Sequence, residues 1–121
     1  MAYTTVDNPE LYFQVKLYNG NDGTQSITLD GSENMQPDWV WCKGRNFVDN
    51  HITLDSVRAA TKVLKPNLTN SETTVAATIT SFDSDGFSLG SDGEINQNNK
   101  TFVAWNWKAG TSFSNDASST G

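Results

Sequence analysis

Cys42 and His51 are the chain's one cysteine and one histidine, so any thiol nucleophile or imidazole base must come from them. Such a pair can run acyl transfer only when the thiol is accessible, ionised and beside its base. Cys42 lies in the apolar run Trp39-Val40-Trp41-Cys42, where burial raises a thiol's pKa and makes it inert. A single cysteine excludes an internal disulfide, and one cysteine with one histidine cannot close a structural zinc site. Glycoside hydrolysis needs two facing carboxylates, and Glu10, Glu33, Glu72 and Glu94 are scattered without a preferred pairing. Asp83-x-Asp85-Gly86, followed by Asp92-Gly93-Glu94, carries the hard oxygens that calcium takes. The spacing is not that of an EF-hand, and an Asp/Gly hairpin turn is the better reading, with a cation the lesser one. Gly86 to Gly93 matches no phosphate-cradling motif. The expectation is no catalytic residue, no metal and no cofactor.

Two further groups could act by binding. Trp39 and Trp41, and again Trp105 and Trp107, are spaced to put two indoles on one face of a strand, about 6 to 7 Å apart. Exposed, such rings beside Asn and Asp would suit the apolar faces and hydroxyl rims of a sugar. In a small domain the burial preference of aromatics favours core filling, which is the expectation here. Asp55 and Arg58 are the charged pair inside apolar context. On extended chain they would point to opposite faces and pair with other strands or another subunit, most simply as a structural ion pair at a sheet edge.

The elements that must carry these residues read as strands. Tyr12 to Tyr18 alternates with Phe13, Val15 and Leu17 on one side and Gln14, Lys16 and Tyr18 on the other, the period of a half-buried strand. Asn19-Gly20-Asn21-Asp22-Gly23 tolerates positive φ and turns the chain into a returning strand, Gln25 to Asp30. Asp38 to Lys43 is apolar on both faces and belongs in the middle of a sheet. His51 to Val57 is a fourth strand, and the stretch from Asp55 to Lys62 is read as extended on its β-branched residues. Pro66 to Ser71 is a loop, and the polar chain to Thr78 is irregular or an edge. Ile79 to Phe82 and Phe87 to Leu89 flank a hairpin turn, and Thr101 to Lys108 is the last strand.

The chain of 121 residues is one domain by size. Short strands with Gly, Asn, Asp and Ser turns and no helical period predict an all-β antiparallel sandwich over residues 1–110. Residues 111–121 have the composition of a flexible linker or tail. Charged residues are 18% of the chain, whereas Asn, Ser and Thr number 13, 12 and 14, so polarity rests on neutral hydrogen-bonding groups. A net charge of −6 offers no basic field for nucleic acid or anionic lipid. No apolar run approaches the roughly 20 residues of a membrane helix, and Met1 to Asn8 lacks the basic start and apolar stretch of a signal peptide.

Taken in order, Tyr12-Phe-Gln-Val-Lys-Leu-Tyr18, Gln25-Ser-Ile-Thr28, Gln36-Pro-Asp-Trp-Val-Trp-Cys-Lys43, Asp55-Ser-Val-Arg58 with Ala60-Thr-Lys62, Thr80-Ser-Phe-Asp-Ser-Asp-Gly-Phe-Ser-Leu-Gly90 and Val103-Ala-Trp-Asn-Trp-Lys-Ala-Gly110 form a recognisable series. It resembles the lectin-like, concanavalin-like β-sandwich domain that recurs in tail-fibre and virion proteins of marine and freshwater bacteriophages, cyanophages among them. The resemblance spans about residues 3 to 110 and departs from the family at two positions. A glycine usually stands where Ala59 is, which argues against a positive-φ backbone there. An aliphatic residue usually stands where Cys42 is, which supports a core role for the thiol.

The resemblance implies a phage tail protein made in the host cytoplasm, with other virion proteins as partners and a homo-oligomeric assembly, a trimer favoured. Together with the neutral polar loops it predicts a structural and receptor-binding module for a host-surface glycan, with no enzymatic activity. The contacting residues would be Asn19, Asn21 and Asp22 in one loop, Arg45, Asn46, Asp49 and Asn50 in a second, and Asn96 and Asn98 in a third. Asp55 and Arg58 would serve structure or an interface. The alternative is a purely architectural attachment, assembly or capsid-decoration domain. A polysaccharide depolymerase is disfavoured because no acid and base can be named.

Overall fold

The computed structural model describes residues 8–109; the predicted tail from residue 111 lies outside them. A 3-10 turn, Pro9–Leu11, leads into β1 (Phe13–Asn19), β2 (Gln25–Thr28), β3 (Trp39–Gly44), β4 (Ile52–Asp55), β5 (Lys62–Val63), β6 (Thr73–Thr74), β7 (Ile79–Asp83) and β8 (Gly86–Leu89). A single-turn helix, α1 (Gly93–Asn96), precedes β9 (Thr101–Trp107). A four-stranded sheet runs β1-β9-β3-β4, a three-stranded sheet runs β2-β8-β7, and β5 pairs with β6. All of these strand pairings are antiparallel, which makes the domain the all-β sandwich its turn-rich sequence predicts.

The core lies between the two layers. Val40 and Cys42 from β3, Ile52 and Leu54 from β4 and Phe102 and Ala104 from β9 meet Ile27, Ile79, Phe87 and Leu89 from the other sheet, with Ile95 of α1 closing one end. Each of the larger side chains contributes about 1.5 to 3 kcal/mol on burial. Tyr18 stacks on Phe102 at 5.2 Å between centroids, and its hydroxyl donates to the Ile95 carbonyl at 2.8 Å. Burial pushes the Cys42 thiol up to about 12, so it is an inert core group.

β1 keeps its period of two, but its aliphatic side is the solvent side. Gln14, Lys16 and Tyr18 turn inward, while Val15 and Leu17 remain 45% and 54% exposed. The inward amide finds three partners. Gln14 Nε2 donates to the carbonyls of Glu10 and Glu33, and its Oε1 accepts from the Gly31 N–H. Lys16 closes on Asp30 at 2.9 Å.

The extended reading of 55–62 fails. β4 ends at Asp55, and Ala59 and Thr61 adopt left-handed φ of 89° and 70°, which reverse the chain into β5. Ala59 is thus in the left-handed conformation that its alanine had argued against. The turn also brings Asp55 and Arg58 together. Asp55 Oδ1 accepts from the Arg58 N–H at 2.8 Å, and Arg58 Nε meets Oδ2 at 2.6 Å. Arg58 Nη1 reaches Glu72 at 3.0 Å and the Lys62 carbonyl at 3.2 Å, so the cluster is a clasp across the turn from β4 to β5.

The hairpin at Asp83-Ser84-Asp85-Gly86 is a turn held by its own carboxylates. Asp83 accepts from the Ser81 and Ser88 hydroxyls, each at 2.7 Å, and Asp85 Oδ1 accepts from the Met35 N–H at 3.0 Å. Gly86 sits at φ 135°, and a Cβ there would fall 1.9 Å from the Ile27 carbonyl oxygen.

Candidate binding face

Parity decides where the indoles go. In β3 and β9, Val40, Cys42, Phe102 and Ala104 occupy the inward positions, so the alternate residues must face out. The four tryptophans therefore do not fill the core as expected. They lie on the outer face of the four-stranded sheet, with Trp39 40% exposed and Trp41, Trp105 and Trp107 half-buried.

Strand register arranges that face in rows. Phe13, Trp107 and Trp39 stand side by side across β1, β9 and β3, and Val15, Trp105 and Trp41 form the next row. Leu17, Val103 and Lys43 form a third. Trp39 stacks on Trp107 at 4.4 Å with planes 23° apart, and Phe13 lies 5.2 Å from Trp107 on its other side. Trp105 instead meets Trp41 edge-on, at 6.5 Å and 80°. That tilt opens a hollow of about 280 Å³ walled by Trp41, His51, Trp105 and Trp107. A smaller one of about 150 Å³ lies on the other side of the Trp41–His51 pair, against Pro66 and Asn67.

His51 belongs to this face and not to Cys42. Trp41 Nε1 donates to His51 Nδ1 at 3.0 Å, and the rings meet edge to face at 5.8 Å. With Nδ1 accepting, the neutral imidazole carries its proton on Nε2. Cys42, one residue further along β3, points into the core, so backbone alternation alone separates thiol from imidazole. The His51 backbone N–H donates to Asn67 Oδ1 at 3.0 Å, which fixes the rim of the smaller hollow. The result is an apolar π-surface with imidazole and amide groups at its border, suited to stacking a ring and hydrogen-bonding its substituents.

The loops singled out by sequence do come together at one end of the sandwich, but largely to bond one another. Asn96 is fully buried and cannot touch a ligand. Its Nδ2 donates to Asn21 Oδ1 and to the carbonyls of Gly23 and Gly90, while its Oδ1 accepts from the Asn21 N–H and Gln25 Nε2. Asp22 Oδ1 accepts from the Asn98 N–H, and Asn46 Oδ1 from the Thr101 N–H. Asp49 Oδ1 caps the Asn50 N–H, and Asn50 itself bridges Glu94 and Asn67, each at 3.0 Å. Burial opposes ionisation of Glu94, yet Lys65 at 2.6 Å and Asn50 outweigh it and hold the carboxyl below its usual value. Asn19, Asn21, Asp22, Arg45, Asn46 and Asn98 are exposed, Asn21, Asp22 and Asn46 with an oxygen already engaged, and Asn19 and Asn98 border a polar cleft of about 330 Å³.

The outward direction of the Phe13, Val15 and Leu17 side of β1 and the tie between His51 and Trp41 were not expected from the sequence. The available signal was that β1 and β9 each have one strongly apolar side, and antiparallel pairing of strands so patterned puts those sides on a common face.

An all-β sandwich with an aromatic outer sheet face is the class that fold and site define. The chain belongs to the family described as a domain of unknown function, DUF7483, whose model matches residues 8–120. Neither the curated proteins nor the solved structures contain a match to it.

Proposed function

We propose that the domain is a structural and receptor-binding module of a phage virion, and that it holds a host-surface glycan on the outer face of its four-stranded sheet. The virion assignment rests on the sequence resemblance. The glycan reading is carried by one observation, the hollow walled by Trp41, Trp105, Trp107 and His51. A pyranose ring lays its axial C–H groups on an indole and turns its hydroxyls outward, where His51 Nε2 donates; Asn67 lies beyond His51, on the smaller hollow. Neutral polar loops and an acidic net charge favour an uncharged or basic glycan over a phosphorylated one. The exposed loop residues Asn19, Arg45 and Asn98 are the secondary candidates, because the amides around them are engaged internally.

A glycan array followed by titration of tryptophan fluorescence tests the reading. The wild-type chain is expected to bind, and Trp105→Ala to weaken binding about tenfold or more while its melting curve stays cooperative. Asn98→Ala should bind as wild type. Binding that survives Trp105→Ala and falls with Asn98→Ala would return the site to the loops, and a blank array would remove the receptor role and leave the structural one. The architectural alternative has its own supporting observation: Val15 and Leu17 extend the face with exposed aliphatic groups for which a sugar has no use.

A further inference from the structure

We propose that β1 is a self-pairing edge, through which two copies of the chain join their four-stranded sheets into one continuous sheet about a two-fold axis. This rests on the backbone of β1 and is independent of the glycan reading.

The phase of the β1–β9 ladder is set at its two ends, where the Lys108 N–H donates to the Tyr12 carbonyl and the Gly20 N–H to the Lys100 carbonyl. Residues 14, 16 and 18 therefore exchange bonds with β9, and Phe13, Val15 and Leu17 turn their N–H and C=O groups to the open side. Among the described residues none of those six groups has a partner, whereas the Asn19 carbonyl is capped by Gln25 Nε2. The opposite edge of the same sheet is covered, since Thr53 of β4 exchanges both backbone bonds with Leu64.

Edges are normally guarded by proline, bulges or charged side chains, inward-pointing ones included. β1 has neither proline nor bulge, its register running unbroken from Phe13 to Asn19, and its one charge, Lys16, is held by Asp30 at 2.9 Å. The side chains flanking the open groups on the outer face, Val15 and Leu17, are the exposed aliphatics. The edge suits a second copy because an antiparallel strand about a two-fold axis is complementary to itself. Phe13, Val15 and Leu17, whose backbone groups lie open, are themselves uncharged.

Chemistry also selects the register. Centring the pair on Lys16 would set that ammonium opposite its own copy, which is repulsive. Centring it on Val15 sets Lys16 opposite Gln14, and pairs Phe13 with Leu17 of the second copy on the outer face, so that the apolar row continues across the axis. Three residue pairs then exchange two hydrogen bonds each.

Sedimentation velocity on the whole chain from about 10 to about 500 µM is expected to show one chain passing to two. Val15→Lys, on an exposed position, should abolish the shift with an unchanged melting curve. Under mild oxidation Val15→Cys should cross-link to its own copy, because hydrogen-bonded partners have Cα atoms about 5.5 Å apart, within disulfide reach. Leu17→Cys alone should stay single, and a mixture of Phe13→Cys and Leu17→Cys chains should cross-link. A wild-type chain that remains single throughout overturns the proposal, as does a closed trimer, or Leu17→Cys linking to itself as readily as Val15→Cys.

Discussion

Replacing Asn96 by alanine separates an organising residue from a ligand-binding one. The side chain is fully buried, and its Nδ2 faces three acceptors, Asn21 Oδ1 at 3.1 Å, Gly23 O at 2.6 Å and Gly90 O at 2.8 Å. Two N–H protons serve those three, and Oδ1 accepts two more bonds, from the Asn21 N–H at 3.1 Å and Gln25 Nε2 at 2.6 Å. That amounts to about four hydrogen bonds at about 1 kcal/mol net each, so Asn96→Ala should cost about 4 kcal/mol. In a domain of this size, where about 1 kcal/mol moves Tm by roughly 4 to 8 °C, the midpoint should fall by roughly 15 to 30 °C. Asn96→Asp keeps the shape and the acceptor but sets a carboxylate against the Gly23 and Gly90 carbonyls. It should be at least as damaging at neutral pH and recover in acid, where the protonated form donates again. Urea unfolding followed by tryptophan fluorescence measures both variants, and glycan affinity measured below the lowered midpoint should be unchanged. A loss under about 1 kcal/mol for Asn96→Ala would refute the claim that this amide ties α1 to the β1–β2 loop.

Ala59→Gly should stabilise the domain by about 0.5 to 1 kcal/mol in the same assay, because relief of a left-handed alanine exceeds the entropy that glycine adds to the unfolded chain. Burial opposes ionisation of Asp55, but the Arg58 amide and guanidinium outweigh it and depress the carboxyl. Since the folded value lies below the unfolded one, the stabilisation is present above about pH 4 and is lost as pH falls through the folded value. Unfolding free energies from urea titrations should therefore drop between pH 7 and pH 2 by about 1 kcal/mol less for Asp55→Asn than for wild type. With its thiol buried and pushed up to about 12, Cys42 should resist an aromatic disulfide reagent in the native state and react only as fast as the chain unfolds in urea. Rapid native labelling would contradict a sealed core.

Local composition was enough to establish the class of fold. Alternation over Tyr12 to Tyr18 and Thr101 to Lys108, the Asn/Gly/Asp turn after Asn19 and the Asp/Gly hairpin before Phe87 are short-range signals, and each corresponds to an observed strand or turn. Which side of an alternating strand is buried is not a short-range property. The tertiary structure turned Gln14 inward and Val15 outward because Gln14 finds partners at Glu10, Gly31 and Glu33, two of them supplied by a distant loop. It moved the tryptophans from the expected core to an open face because Val40, Cys42 and Ala104 already occupy the inner layer. It joined His51 to Trp41 and buried Asn96 for the same reason, that a side chain's neighbours are fixed by strand register and loop closure over tens of residues, which composition does not encode.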